Sequence, residues 1–121
     1  MPDLPKILII DDEEDLGEIL ADYLEDDFDC TVCSDPAKGV EYINNQSFSL
    51  VISDMHMPGI NGFTIIQTVK EKQPQTPVIL LTGNARHDPI VVEALNKGAT
   101  GIITKPFDSP DEVMNYLKSF I

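Results

Sequence analysis

The chain has 121 residues, 42% of them apolar, which suits one domain with a buried core, so residues 1–121 are read as a single unit. Twenty-one acids against eight Lys and Arg give a formal charge of −13, which argues against a grip on nucleic-acid phosphates. No apolar run approaches the roughly 18 residues needed to span a membrane, and Met1-Pro2-Asp3 opens no basic-then-apolar leader, so the expected location is the cytoplasm, with no membrane or nucleic-acid partner.

Apolar strand runs alternate with helical patterns five times. Lys6–Ile10 reads as the first strand and ends in two adjacent carboxylates, Asp11 and Asp12. Like charges side by side at a buried strand end call for a positive partner, and a hard divalent cation with oxygen ligands is the natural one. Leu16, Ile19, Leu20, Tyr23 and Leu24 then fall at helical spacing. A short strand follows at about Cys30–Cys33. Residues three apart on a strand face opposite sides, so this C-x-x-C pair reads as packing rather than a disulfide or metal site. Asp35-Pro36 opens the second helix as cap and first position, with Ala37, Val40 and Ile43 as its apolar face.

Leu50-Val51-Ile52 forms the third strand and runs into Ser53-Asp54; a turn occupies Met57–Gly62. The third helix buries Phe63, Ile66 and Val69 and stops before Pro74. Val78–Thr82 is the fourth strand. Asp88-Pro89 repeats the capping chemistry for a helix ending at Gly98. Its run Ile90-Val91-Val92 carries more apolar residues than one helix face buries, so one is expected at the surface for a partner or in a wide core contact. Gly101–Thr104 is the fifth strand. Ser109 or Asp108 caps the last helix, with Val113, Tyr116, Leu117 and Phe120 inward. Strands apolar throughout, separated by helices, imply an α/β fold: a flavodoxin-like, doubly wound, five-stranded parallel sheet of order 2-1-3-4-5 with five helices.

Ligands of such sheets sit beyond the carboxyl ends of the strands. Asp11 and Asp12, Asp54, Thr82 and Lys105 fall at four of those ends. Singly, each has a plainer reading: Asp12 as a helix cap, Thr82 before Gly83 as turn chemistry, Lys105 before Pro106 as a solvent-facing lysine. Together they suit phosphoryl transfer to a carboxylate. Asp54 is the candidate nucleophile. Mg²⁺ on Asp12 and Asp54, with Asp11 acting through water, would offset the repulsion between two anions. Lys105 would add a second positive charge and Thr82 a hydrogen bond.

These residues, in the segments Ile9-Ile10-Asp11-Asp12-Glu13, Ser53–Gly62, Leu81-Thr82-Gly83 and Thr104-Lys105-Pro106-Phe107, resemble the receiver domain of two-component response regulators, of the chemotaxis-regulator type, over about residues 5–121. The resemblance implies that Asp54 becomes a 4-aspartylphosphate at the expense of a sensor histidine kinase or histidine phosphotransfer protein. It implies Mg²⁺ on Asp11, Asp12, Asp54 and the main-chain carbonyl of His56, with Thr82 and Lys105 contacting the phosphoryl group and Pro106 as a cis-proline. It further implies a phosphorelay switch, not an enzyme with an external substrate, that catalyses its own phosphotransfer and autodephosphorylation. Output would pass through the fourth helix, fifth strand and fifth helix to an effector domain or partner protein, with a phosphorylation-dependent homodimer as one form of it.

His56 and Asn84 occupy positions that modulate acylphosphate lifetime in the family. Where the family usually carries Tyr, Phe or His three residues before the lysine, this chain has Ile102. Coupling is then expected to run instead through the loop at 83–87 and the fourth helix. Three rivals stay open. An aspartate-nucleophile phosphatase would show sustained turnover of a phosphate ester. A flavin module would be coloured. A degenerate receiver would refuse phosphate in the presence of Mg²⁺.

Overall fold

The computed structural model describes residues 4–83, 88–105 and 109–121. Asn84, Pro106, Phe107 and the alternative cap Asp108 lie outside the described residues. Five strands and five helices alternate: β1 (Lys6–Ile10), α1 (Glu14–Leu24), β2 (Asp29–Cys33), α2 (Pro36–Asn45), β3 (Leu50–Asp54), α3 (Gly62–Lys72), β4 (Val78–Thr82), α4 (Pro89–Asn96), β5 (Gly101–Thr104) and α5 (Pro110–Lys118). The sheet order is β2-β1-β3-β4-β5, and every pair is parallel, as the apolar runs predict.

Alternation along the strands sorts the core into two layers, because successive side chains of a strand point to opposite faces. Leu8, Ile10, Val51, Leu80 and Ile102 meet Ile43 of α2, Ile65, Ile66 and Val69 of α3, and Val91 and Ala94 of α4. Ile7, Ile9, Leu50, Ile52, Ile79, Leu81 and Ile103 meet Leu20 and Leu24 of α1 and Val113 and Leu117 of α5. The central strands β3 and β4 are buried at every position. Parallel sheets are stable when covered in this way.

Local capping chemistry sets the helix starts. The carboxylates of Asp35 and Asp88 accept from the N–H groups of Ala37 and Ile90, each at 3.0 Å, and the Ser109 hydroxyl accepts from Glu112 N–H at 3.1 Å. Each of these helices has Pro in its first turn. The inward faces of α1 and α2 differ from the expected ones. Ile19 is 42% exposed, and Ala37 is exposed. In α1 the buried set is Gly17, Leu20 and Leu24, because Gly17 lets the helix close onto β2: a Cβ there would come within 2.9 Å of Val32 Cγ1. In α2, Gly39 lies against Ile10, and the backbone approach turns Ala37 outward.

At the opposite end of the sheet from the strand carboxyl ends, Gln73 joins two loops. Its side-chain carbonyl accepts from Phe48 N–H at 2.9 Å, while its amide donates to the Ile43 carbonyl at 2.8 Å and the Gln46 carbonyl at 2.5 Å. The Thr76 hydroxyl donates to the Phe48 carbonyl at 2.8 Å. Gln73→Ala should cost about 1–3 kcal/mol, since it strands partly buried backbone groups. Urea titration will read this as a lower midpoint at unchanged slope; an unchanged midpoint would show that water replaces the amide without penalty.

Candidate functional site

The strand register assembles the site. Ile10 of β1 pairs with Ser53 of β3, and Asp54 pairs with Leu81 of β4. Asp11 and Asp54 therefore end neighbouring strands, and Thr82 ends the next. Asp11 is fully buried, Thr82 is 1% exposed and Asp54 6%, whereas Asp12 is exposed. One carboxylate oxygen from each of Asp11, Asp12 and Asp54 lies within 4.8 Å of the others. Lys105 emerges from β5 with its N–H on the Thr82 carbonyl at 2.8 Å. Its ammonium sits 3.2 Å from Asp11 Oδ2 and 3.4 Å from Asp54 Oδ2. Lys105 is thus no solvent-facing lysine, and its side chain is only 18% exposed.

Asp12 does not cap α1. The N-cap position falls to Glu13, which makes no side-chain capping bond; Asp11 Oδ1 instead accepts from Glu13 N–H at 2.9 Å. This bond fixes one oxygen of Asp11 and leaves the other, Oδ2, buried without a hydrogen bond of regular geometry despite the nearby ammonium. A buried carboxylate oxygen in that position is costly unless a cation completes its shell. Oxygen ligands opposed across a hard divalent ion stand about 4.2–4.8 Å apart at bond lengths of about 2.1–2.4 Å, so three carboxylate oxygens within 4.8 Å of one another could serve one such ion.

Electrostatics agree with the geometry. Burial pushes the Asp54 carboxyl up to about 6; Lys105 pulls it down and Asp11 pushes it up again. For Lys105, burial acts to lower the ammonium's pKa, but the charges of Asp11 and Asp54 outweigh it and raise the group above its ordinary value. Two carboxylates sharing one ammonium leave a local excess of negative charge at neutral pH.

The loop after β3 is tied back to the sheet. Met55 N–H donates to the Leu81 carbonyl and Gly62 N–H to the Met55 carbonyl, both at 2.9 Å. Met55 and Met57 are buried. Ile60 N–H reaches the Pro58 carbonyl at 2.9 Å across Gly59, whose φ is +79°, a three-residue turn that favours glycine. The loop leaves His56 exposed beside the site, with its N–H 3.5 Å from Asp54 Oδ1. Ile102 is 2% exposed within the core. One contact has no counterpart in the motif reading: Ile102 N–H donates to the Tyr116 hydroxyl at 3.0 Å. A tyrosine four residues before Phe120, opposite a strand glycine, is its only trace in the sequence.

Cys30 and Cys33 are both free. Burial, then the nearby acids Asp29 and Glu25, push the Cys30 thiol up to about 11, and burial also raises Cys33, so neither is poised for thiolate chemistry. No helix among the described residues is long and apolar enough to cross a membrane.

Comparison with known proteins gives the same reading. The model of the response regulator receiver domain matches residues 7–118. FleR, a response regulator protein of Pseudomonas aeruginosa, is 34% identical over 86% of this chain, which spans 22% of FleR. YkoG, an uncharacterized transcriptional regulatory protein of Bacillus subtilis, is 36% identical over 84% of the chain, which spans 45% of YkoG. The chain thus spans less than half the length of these curated relatives. Among solved structures, the beryllofluoride-activated NtrC4 receiver domain dimer superposes with a TM-score of 0.85 at 28% identity, covering 95% of this chain and 94% of that one. With its sheet order, its acidic strand ends and this family match, the chain belongs to the receiver domains of the two-component response regulators.

Proposed function

We propose that Asp54 is the phosphoacceptor of a two-component phosphorelay, supplied by a sensor histidine kinase or a histidine phosphotransfer protein. The observation that carries this reading is the setting of the Asp54 carboxylate: buried, 3.4 Å from the Lys105 ammonium, and grouped with Asp11 and Asp12 within 4.8 Å. An Asp54 oxygen attacks the phosphorus of a phosphohistidine, the P–N bond breaks, and the imidazole leaves with the electron pair. Asp11, Asp12 and Asp54, with the His56 main-chain carbonyl, would hold Mg²⁺, which when bound supplies positive charge against the repulsion between phosphoryl group and carboxylate. Lys105 follows the new charge, exchanging carboxylate for phosphoryl oxygen, and the Thr82 hydroxyl donates to the acylphosphate. His56 and Asn84 set the access of water.

The added charge of roughly −1.5 to −2 then biases a two-state element. The output face is that of α4, β5 and α5. Val92 and Leu95 on α4 are 44% and 42% exposed and one turn apart, an apolar contact for an effector domain or a second copy. The dimer formed by the NtrC4 receiver supports the latter. Acetyl phosphate with Mg²⁺ should label wild type with one phosphoryl group per chain; no label should form when chelator is present from the start, and none on Asp54→Asn. Intact mass and peptide mapping will read it; labelling that persists in Asp54→Asn would overturn the assignment.

A further inference from the structure

Among the described residues, β5 lies at the edge of the sheet and pairs with β4 alone. Its other edge is met by α5. The Tyr116 hydroxyl accepts from Ile102 N–H at 3.0 Å, across 14 positions of sequence. Tyr116 and Phe120 stand edge to face, with centroids 5.1 Å apart and planes at 81°, directly over Gly101. A Cβ at Gly101 would collide with the Tyr116 hydroxyl and come within 3.0 Å of Phe120 Cζ. Glycine is required there because the aromatic pair rests on the strand backbone itself. The Ser119 hydroxyl donates to the Tyr116 carbonyl at 2.5 Å, tying the tyrosine into the end of α5.

Three residues on from Ile102, just past the end of β5, Lys105 holds Asp11 and Asp54. An extended segment of that length is about 10 Å of stiff rod. An edge strand bonded to one neighbour is the one displaced most easily. When the Lys105 ammonium moves from the carboxylates toward a new anion on Asp54, the pull runs along β5. The side chain of Ile102, 2% exposed among core residues, has no ring to swing into or out of the surface. Its backbone N–H, however, points to α5. Packed interfaces respond to such small shifts by switching between discrete arrangements rather than by bending.

We propose that the Tyr116 hydroxyl is the link by which α5 follows the state of the Asp54 site, a positioning residue that carries displacement of β5 to the helix. The proposal rests on the phosphoacceptor reading, and its test separates the two. Amide spectra of ¹⁵N-labelled protein are recorded in Mg²⁺ with and without beryllofluoride. In wild type, amides 53–57, Ile102 and 113–120 all shift. Tyr116→Phe keeps the ring, its packing and its ring current but lacks the hydroxyl. It should retain the shifts at 53–57 and bind beryllofluoride within about twofold of wild type, while the shifts at 113–120 fall to about a third or less. Ser119→Ala, which also removes a hydrogen bond from α5, should leave the wild-type pattern. Undiminished shifts at 113–120 in Tyr116→Phe would overturn the link, as would an equal loss in Ser119→Ala. A wild type without shifts at 53–57 would instead overturn the phosphoacceptor reading, and the link with it.

Discussion

Asp54→Asn is expected to stabilise the metal-free protein at neutral pH while abolishing phosphorylation. The wild-type carboxyl, pushed up to about 6 chiefly by burial, binds its proton more tightly in the folded state than in the unfolded chain. Stability from that proton is complete below about pH 4 and is lost as pH rises through about 6. At about pH 7.5 the metal-free fold therefore contains an ionised, buried carboxylate beside Asp11. Asparagine keeps the shape and removes the charge. Since about 1 kcal/mol moves the melting temperature of a domain this size by roughly 4 °C, calorimetry should show the variant melting several degrees above wild type at pH 7.5. The gap should shrink at about pH 5. Mg²⁺ should raise the wild-type melting temperature and leave Asp54→Asn nearly unchanged, because the ion stabilises only the fold that binds it. A variant that melts lower than wild type without metal would show that the Asp54–Lys105 pair outweighs the burial.

Lys105→Met carries the second large effect, with the opposite sign. The ammonium is shared between Asp11 Oδ2 and Asp54 Oδ2, and removing it leaves two buried carboxylates facing each other. Breaking a buried pair from one side costs about 3–5 kcal/mol. Lys105 is partly exposed, so the lower end applies: about 3 kcal/mol in chemical denaturation at pH 7.5 without metal. Losing the positive neighbour raises the Asp54 pKa further, so lowering the pH to about 5 protonates the site and restores much of the lost stability. Phosphoryl acceptance from acetyl phosphate should fall by one or more orders of magnitude, because each 1.4 kcal/mol lost from the transition state is about tenfold in rate. A Lys105→Met protein equally stable at both pH values would mean that the carboxylates do not share the lysine in solution.

Both predictions concern residues legible in the chain order itself. Asp11, Asp12, Asp54, Thr82 and Lys105 each follow an apolar strand run, and in a parallel sheet every strand ends on the same edge. The sheet order brought those ends together as expected, because right-handed crossovers leave few alternatives. The starts of α2, α4 and α5 were equally readable: a cap and the proline after it act within three residues, so local sequence contains the whole interaction. The inward faces of α1 and α2 were less so. Ile19 and Ala37 match a helical apolar pattern but turn outward, since the rotation of each helix depends on how closely Gly17 and Gly39 let it approach Val32 and Ile10. Those contacts join residues far apart in sequence.

The sequence by itself determined the fold class and the set of polar residues at the strand ends, because periodicity, capping and strand termination are short-range properties, and four short motif segments carried the resemblance to the family. Only the tertiary structure decided what those residues do to one another. It put one ammonium between Asp11 and Asp54, left Asp11 Oδ2 buried against that ammonium, raised the pKa of the Asp54 carboxyl to about 6, and set the Tyr116 hydroxyl on the backbone of β5. Charge coupling and desolvation depend on distances of a few ångströms between separate elements, and no spacing along the chain encodes them.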